Sequence, residues 1–116
     1  MIRPRNDTLR SFLQRGRGRT KYHNTHTTMN GWRFDSQKEA GAFYLFEKIR
    51  AAGKIRLVLR QVPFHLPGHT IYRLDFLVIE ASGGVRFFDV KGVRTQTYKI
   101  KKRQVEELYG IRIEEI

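Results

Sequence analysis

Helical spacing of apolar positions first appears at Phe43, Phe46 and Ile49, with Ala42 and Leu45 beside them. Ser36 and Glu39 precede this stripe in an S-x-x-E capping box, and Gly53 follows it. The pattern predicts a helix over about 36–52. Ahead of it, Asn30-Gly31 predicts a turn within a short hairpin. Behind it, KIRLVLRQVPFHL is rich in β-formers but holds Pro63, which predicts a strand over about 55–61 with an irregular or edge continuation. IYRLDFLVIE and VRFFDVKG read as two strands joined through Ala81-Ser82-Gly83-Gly84, a hairpin. TYKIKKRQVEELY reads as a basic helix over 97–109 stopped by Gly110, and IRIEEI as a short last strand. The series is α-β-β-β-α-β, an α/β class with a central mixed sheet flanked by helices. No segment repeats.

Charge changes this picture most. The chain holds 23 Lys and Arg against 11 Asp and Glu, a net +12, which points to a polyanionic partner, foremost nucleic acid. Residues 1–21 carry seven basic residues against Asp7 alone, in runs such as RGRGRTK. Glycine alternating with arginine packs poorly, so 1–21 is expected to be a flexible basic arm and 22–116 a single domain. A short helix over TLRSFLQ within the arm is a weaker expectation. There are no cysteines, which excludes disulfides and thiolate metal sites and suits a reducing cytoplasm. No apolar run is long enough to span a membrane. His65 with His69, and His23 with His26, lack the further ligands that a zinc site needs.

The hairpin carries the candidate chemistry. With its turn centred near Ser82, Asp75 and Asp89 are equidistant from the centre and fall opposite each other. Lys91, two residues past Asp89, points to the same face. The flanking positions are apolar on both faces: Leu77, Ile79 and Phe87 on one, Phe76, Val78 and Phe88 on the other. Two carboxylates facing each other there repel and lose hydration, and a hard divalent cation compensates directly. Glu39 adds a third acid on the stripe of the first helix, with completion of the capping box as its plainer role. Trp32, Phe34, Phe43 and Phe46 are expected in the core.

Glu39, Asp75 and Asp89-Val90-Lys91, in this order on an α-β-β-β-α-β core, resemble the PD-(D/E)XK nuclease superfamily, whose fold is restriction-endonuclease-like. More closely, the chain resembles a phage and prophage family of small nucleases described as Holliday-junction resolvase-like. NGWRFDSQKEA, the Gln61 region, YRLDF, FFDVKG with TQTYKIKK, and YGIRIEEI carry this resemblance across residues 21–116. Leu74 stands before Asp75 where the motif name has proline. The resemblance implies an endodeoxyribonuclease of a phage or mobile element acting in a bacterial cytoplasm. It implies Mg²⁺ or Mn²⁺ held by Asp75, Asp89 and the Val90 carbonyl, with Glu39 completing the shell. It also implies Lys91 positioning the attacking water.

DNA, duplex or branched, is the expected partner. Arg94, Thr95, Tyr98, Lys99, Lys101, Lys102 and Arg103 follow the D-x-K strand with no acid among them, and Arg15, Arg17, Arg19 and Lys21 would add contacts from the arm. On the second helix Lys99, Lys102 and Arg103 are expected outward, with Tyr98, Val105 and either Leu108 or Tyr109 inward. Gln61 lies on the strand before Asp75 and is a candidate to approach the site. A resolvase cuts two strands symmetrically and so calls for a homodimer; a nicking enzyme does not. The alternative class is a basic DNA-binding protein without catalysis, such as an inactivated nuclease acting as a regulator.

Overall fold

The computed structural model describes residues 9, 13, 27–29, 32–90 and 93–116. The chain divides into two compact units, residues 1–52 and 53–116, a boundary that crosses the single domain expected over 22–116.

In the first unit β1 (Thr27–Met29) and β2 (Trp32–Phe34) pair antiparallel, with Met29 opposite Trp32. That register leaves two residues between them, which matches the expected hairpin; Asn30 and Gly31 themselves lie outside the described residues. α1 covers Gln37–Ala51. Its N-cap is Ser36, whose Oγ accepts the Glu39 N–H at 3.1 Å. At the other end the Ala52 N–H donates to the Lys48 carbonyl, and Gly53 follows at φ +82°, a left-handed conformation that favours glycine. The expected stripe is buried at Glu39, Phe43, Phe46 and Ile49, and Phe34 packs on Phe43 with ring centroids 5.2 Å apart. Leu9 and Leu13, one helical turn apart, are helical and buried, in keeping with the TLRSFLQ reading. The rest of the expected arm, with Arg15, Arg17, Arg19 and Lys21, lies outside the described residues.

The second unit is a four-stranded mixed sheet and one helix. β3 (Ile55–Leu66), β4 (Thr70–Glu80), β5 (Val85–Asp89) and β6 (Ile113–Glu115) are ordered β3-β4-β5-β6, with the first two pairings antiparallel and the last parallel. α2 (Gln96–Tyr109) is the crossover that a parallel β5–β6 pair requires. The series α1-β3-β4-β5-α2-β6 is the expected αβββαβ order of an α/β fold. The second unit's core lies between sheet and helix, where Leu66, Tyr72, Leu74, Val105 and Ile113 cluster with Val62, Phe64, Leu77, Phe87, Tyr98 and Ile111. Among the described residues no helix is long and apolar enough to cross a membrane.

The edge continuation expected past Pro63 forms as part of β3, which runs on to Leu66 with Pro63 paired to Arg73. As an edge strand it pairs on one side only, so the N–H that proline lacks is not missed. On α2, Leu108 is exposed. Tyr109 turns toward the sheet instead, with its hydroxyl donating to the His65 carbonyl at 2.7 Å and its ring edge-on to Phe64 at 5.0 Å. The phenol is half exposed and still finds an acceptor, which Leu108 could not use.

β5 and β6 are also tied by side chains. Arg86 donates to both Glu114 oxygens, at 2.9 and 2.7 Å, and lies over the Phe88 ring. Leu74 is fully buried at the centre of the cluster under α2. Leu74→Ala is expected to destabilise the protein by about 2–5 kcal/mol, read as a lower urea midpoint at unchanged slope.

Candidate functional site

The register counted from the turn holds. Phe76 pairs with Phe88 and Leu77 with Phe87, so one step further Asp75 faces Asp89. The same step crosses the whole sheet. On β3 Gln61 falls between the Arg60–Phe76 and Val62–Leu74 pairs, opposite Asp75. On β6 Glu115 pairs with Asp89. A polar row, Gln61-Asp75-Asp89-Glu115, thus takes one residue from each strand of a largely apolar sheet.

The carboxylates are held by backbone. Asp89 is fully buried and its Oδ1 accepts the Asp75 N–H at 3.1 Å. Asp75 is 9% exposed; its Oδ2 accepts the Val90 N–H at 2.8 Å and its Oδ1 the Gln61 amide at 3.3 Å. Each acid therefore takes an N–H from the other's strand, or the residue just past it, where the β4–β5 ladder ends. Buried N–H groups demand acceptors, and here side chains supply what the ladder no longer does.

Gln61 meets Asp75 at a backbone irregularity. Its φ is +52°, a left-handed conformation that costs a non-glycine residue about 1–2 kcal/mol. Tyr72 and Leu74 share a cluster with Leu77, an odd spacing that a regular pleat would split between faces. The switch falls at Asp75, directly opposite Gln61, and Leu74, Asp75 and Phe76 are buried in succession. The strained residue thus sits where the sheet changes the face it presents, and its amide reaches the acid there.

Beside Asp89 the row continues to α2. Tyr98 donates its hydroxyl proton to Glu115 Oε2 at 2.8 Å, and its ring stacks on Tyr72. Burial, then the hydrogen bond to Glu115, then the charge of Asp89 push the Tyr98 phenol well above its ordinary range, so it stays protonated. Arg94 reaches Glu115 Oε1 at 3.0 Å and Lys102 reaches Oε2 at 3.9 Å. Lys102 therefore turns toward the sheet, against the expectation that it shares an outward face with Lys99 and Arg103, which are exposed. Thr95 is the N-cap of α2 and accepts the Tyr98 N–H at 3.1 Å; Lys101 is half-buried.

The structure thus brings together Asp75, Asp89, Val90, Gln61, Tyr98, Arg94 and Lys102 within the second unit. Glu39, 4% exposed, belongs to the first unit, and Lys91 lies outside the described residues. Glu115 is the member that sequence reasoning missed. Its signal was only the alternation of IRIEEI, which does not give the register of a parallel strand. Among the described residues no group of three or more His, Asp or Glu is placed to hold a metal. Two buried hard carboxylates side by side are nonetheless a donor set suited to Mg²⁺ or Mn²⁺.

The backbone at Gln61 gives a direct check. Gln61→Ala and Gln61→Gly both lose the amide contact to Asp75, but only glycine relieves the φ. The glycine variant is expected to be the more stable by about 1–2 kcal/mol in urea unfolding, the reverse of the usual order for a strand.

Comparison with curated proteins and with solved structures finds no match. A family model does match, over residues 19–113, a span that takes in both strands of the hairpin, the polar row up to Asp89 and the whole of α2. The chain belongs to the family described as Protein of unknown function (DUF1064).

Proposed function

We propose that the protein is a metal-dependent endodeoxyribonuclease that hydrolyses phosphodiester bonds. The observation that supports this best is the opposed, buried pair Asp75 and Asp89, clamped by backbone N–H groups and bordered by the basic segment that opens α2. Two carboxylates fixed this close in a sheet interior repel, and nothing in apolar packing rewards the arrangement. Cation binding does.

Asp75 and Asp89 would hold Mg²⁺ or Mn²⁺ with the Val90 carbonyl. The bound ion supplies an acidified water and offsets charge on the phosphoryl oxygens. The chain's own residues do the rest. The Val90 and Asp75 N–H groups fix the carboxylates and so spare them reorganisation. Gln61 holds Asp75 Oδ1 in place from the neighbouring strand. Lys91 would orient the attacking water and neutralise developing charge. Lys99 and Arg103, exposed on α2, together with Lys101 and the arginines of residues 1–21, would hold the DNA backbone without reading its sequence. A chain without cysteines that acts on DNA suits the cytoplasm.

Asp89→Asn keeps an oxygen acceptor for the Asp75 N–H and removes one of the two charges. The variant is expected to fold with stability at or above that of the wild type in EDTA. Saturating Mg²⁺ or Mn²⁺ should stabilise the wild type, by about 2.7 kcal/mol at a hundred times Kd, read as a higher unfolding temperature, and leave Asp89→Asn unmoved. The same pair is then offered supercoiled plasmid, linear duplex and a four-way junction with Mg²⁺, Mn²⁺ or EDTA. Cutting that needs metal and is lost in Asp89→Asn is the expected result. Binding of all three substrates with no cutting would place the protein instead among DNA-binding proteins without catalysis.

A further inference from the structure

We propose that Arg94, Tyr98 and Lys102 form a binding site for a single backbone phosphate, and that Glu115 occupies this site when DNA is absent. The proposal rests on the nucleic-acid reading above and deepens it, by naming one phosphate contact and what fills it beforehand.

Tyr98 and Lys102 are four residues apart on α2 and share a face, and Arg94 lies just ahead of the Thr95 N-cap. All three converge on one carboxylate: Tyr98 and Lys102 on Oε2 at 2.8 and 3.9 Å, Arg94 on Oε1 at 3.0 Å. A guanidinium, an ammonium and a phenol around one anion match the oxygens of a phosphodiester as well as those of a carboxylate. The phenol already acts as a donor here, to Glu115 Oε2. Glu115 is the ladder neighbour of Asp89, so their backbones lie about 4.8 Å, one strand spacing, apart. A phosphate held there would neighbour one presented to Asp75 and Asp89.

The occupant is exchangeable. The Arg94 side chain is 59% exposed, and ion pairs of such groups contribute little in water. The other acid of this strand differs. Glu114 takes both hydrogen bonds of Arg86, and both side chains are mostly buried, which describes a closed structural pair. Glu115, at 19% exposure little more open than Glu114 at 13%, instead shares one carboxylate among three donors, of which Arg94 is mostly in solvent. Its charge competes with DNA for two of the cations that the sequence offers as phosphate contacts.

The test is binding of a short labelled duplex in EDTA, across a salt series, by wild type, Glu115→Gln and Glu115→Gln/Arg94→Ala. Glutamine keeps an acceptor for the Tyr98 hydroxyl but carries no charge. Glu115→Gln is expected to bind about threefold to fivefold more tightly, with a salt slope steeper by about one. The double variant should lose both changes. Inorganic phosphate in excess should compete weakly if at all, since one contact of many is at stake. Unchanged or weaker binding by Glu115→Gln, or a gain that survives Arg94→Ala, would overturn the proposal. Should Glu115→Gln fail to fold, Arg94→Ala in the wild-type chain decides: a slope shallower by about one supports the site, and an unchanged slope refutes it. EDTA separates this outcome from the hydrolysis reading. A protein that cuts nothing with Mg²⁺ but tightens on loss of Glu115 keeps the phosphate site and loses the nuclease.

Discussion

Two carboxylates held face to face where a sheet begins to open set the terms for the rest of this structure. The β4–β5 ladder ends at Phe76–Phe88, and at the next step Asp89 accepts the Asp75 N–H and Asp75 the Val90 N–H. The acids are thus part of the sheet's hydrogen bonding, and their position is as rigid as the hairpin that carries them. That rigidity has a cost. Like charges meet in a place stripped of water, and the backbone bonds offset only part of the repulsion. Stability lost at such a point is the usual companion of a site arranged for binding.

The irregularities nearby follow from the same constraint. A regular pleat would alternate faces through β4, so Leu74 and Leu77 would part company. Both instead pack under α2, and Asp75 lies between them. Gln61 takes the left-handed backbone opposite and directs its amide to Asp75. β3 can absorb this because it is an edge strand, with no second ladder to break. The same freedom lets it run through Pro63. The strain at Gln61, the switch of face and the buried acids occupy one rung of the sheet.

Much of this was legible in the sequence because it is local. A four-residue connection fixes a hairpin register, so Asp75 could be set against Asp89 by counting from Ser82. Ser36 heads a helix whose first N–H groups need acceptors, and Gly53 and Gly110 follow the ends of the two helices at positive φ. What stayed hidden depends on contacts distant along the chain. β6 joins the sheet through a helical crossover, and no turn fixes which of its residues meets Asp89. Glu114 and Glu115 therefore looked alike, two acids on a short terminal strand. Leu108 and Tyr109 were equally undecided, since only the His65 carbonyl across the sheet favours the phenol. Pro63 pointed to an edge or irregular continuation of β3, but not to where it ends, because the partner strand that carries it to Leu66 lies across the sheet.

The charge of the chain gains a different meaning once its acids are placed. A net +12 suggests a uniformly basic surface, yet part of the basic complement is already engaged. Arg86 is committed to Glu114, and Arg94 and Lys102 to Glu115, so the acids of β6 face opposite sides of one strand and temper cations on both. The two pairs differ in what water can do to them. Arg86 and Glu114 are shielded, form two short bonds and gain from separation by neither salt nor ligand. Glu115 shares one carboxylate among three donors, and one of these is mostly in solvent. A shared, partly hydrated anion is the weaker holder of each cation and the easier to displace. For the phosphate proposed to bind beside Asp89, the hold would depend on how readily this one acid gives up its partners.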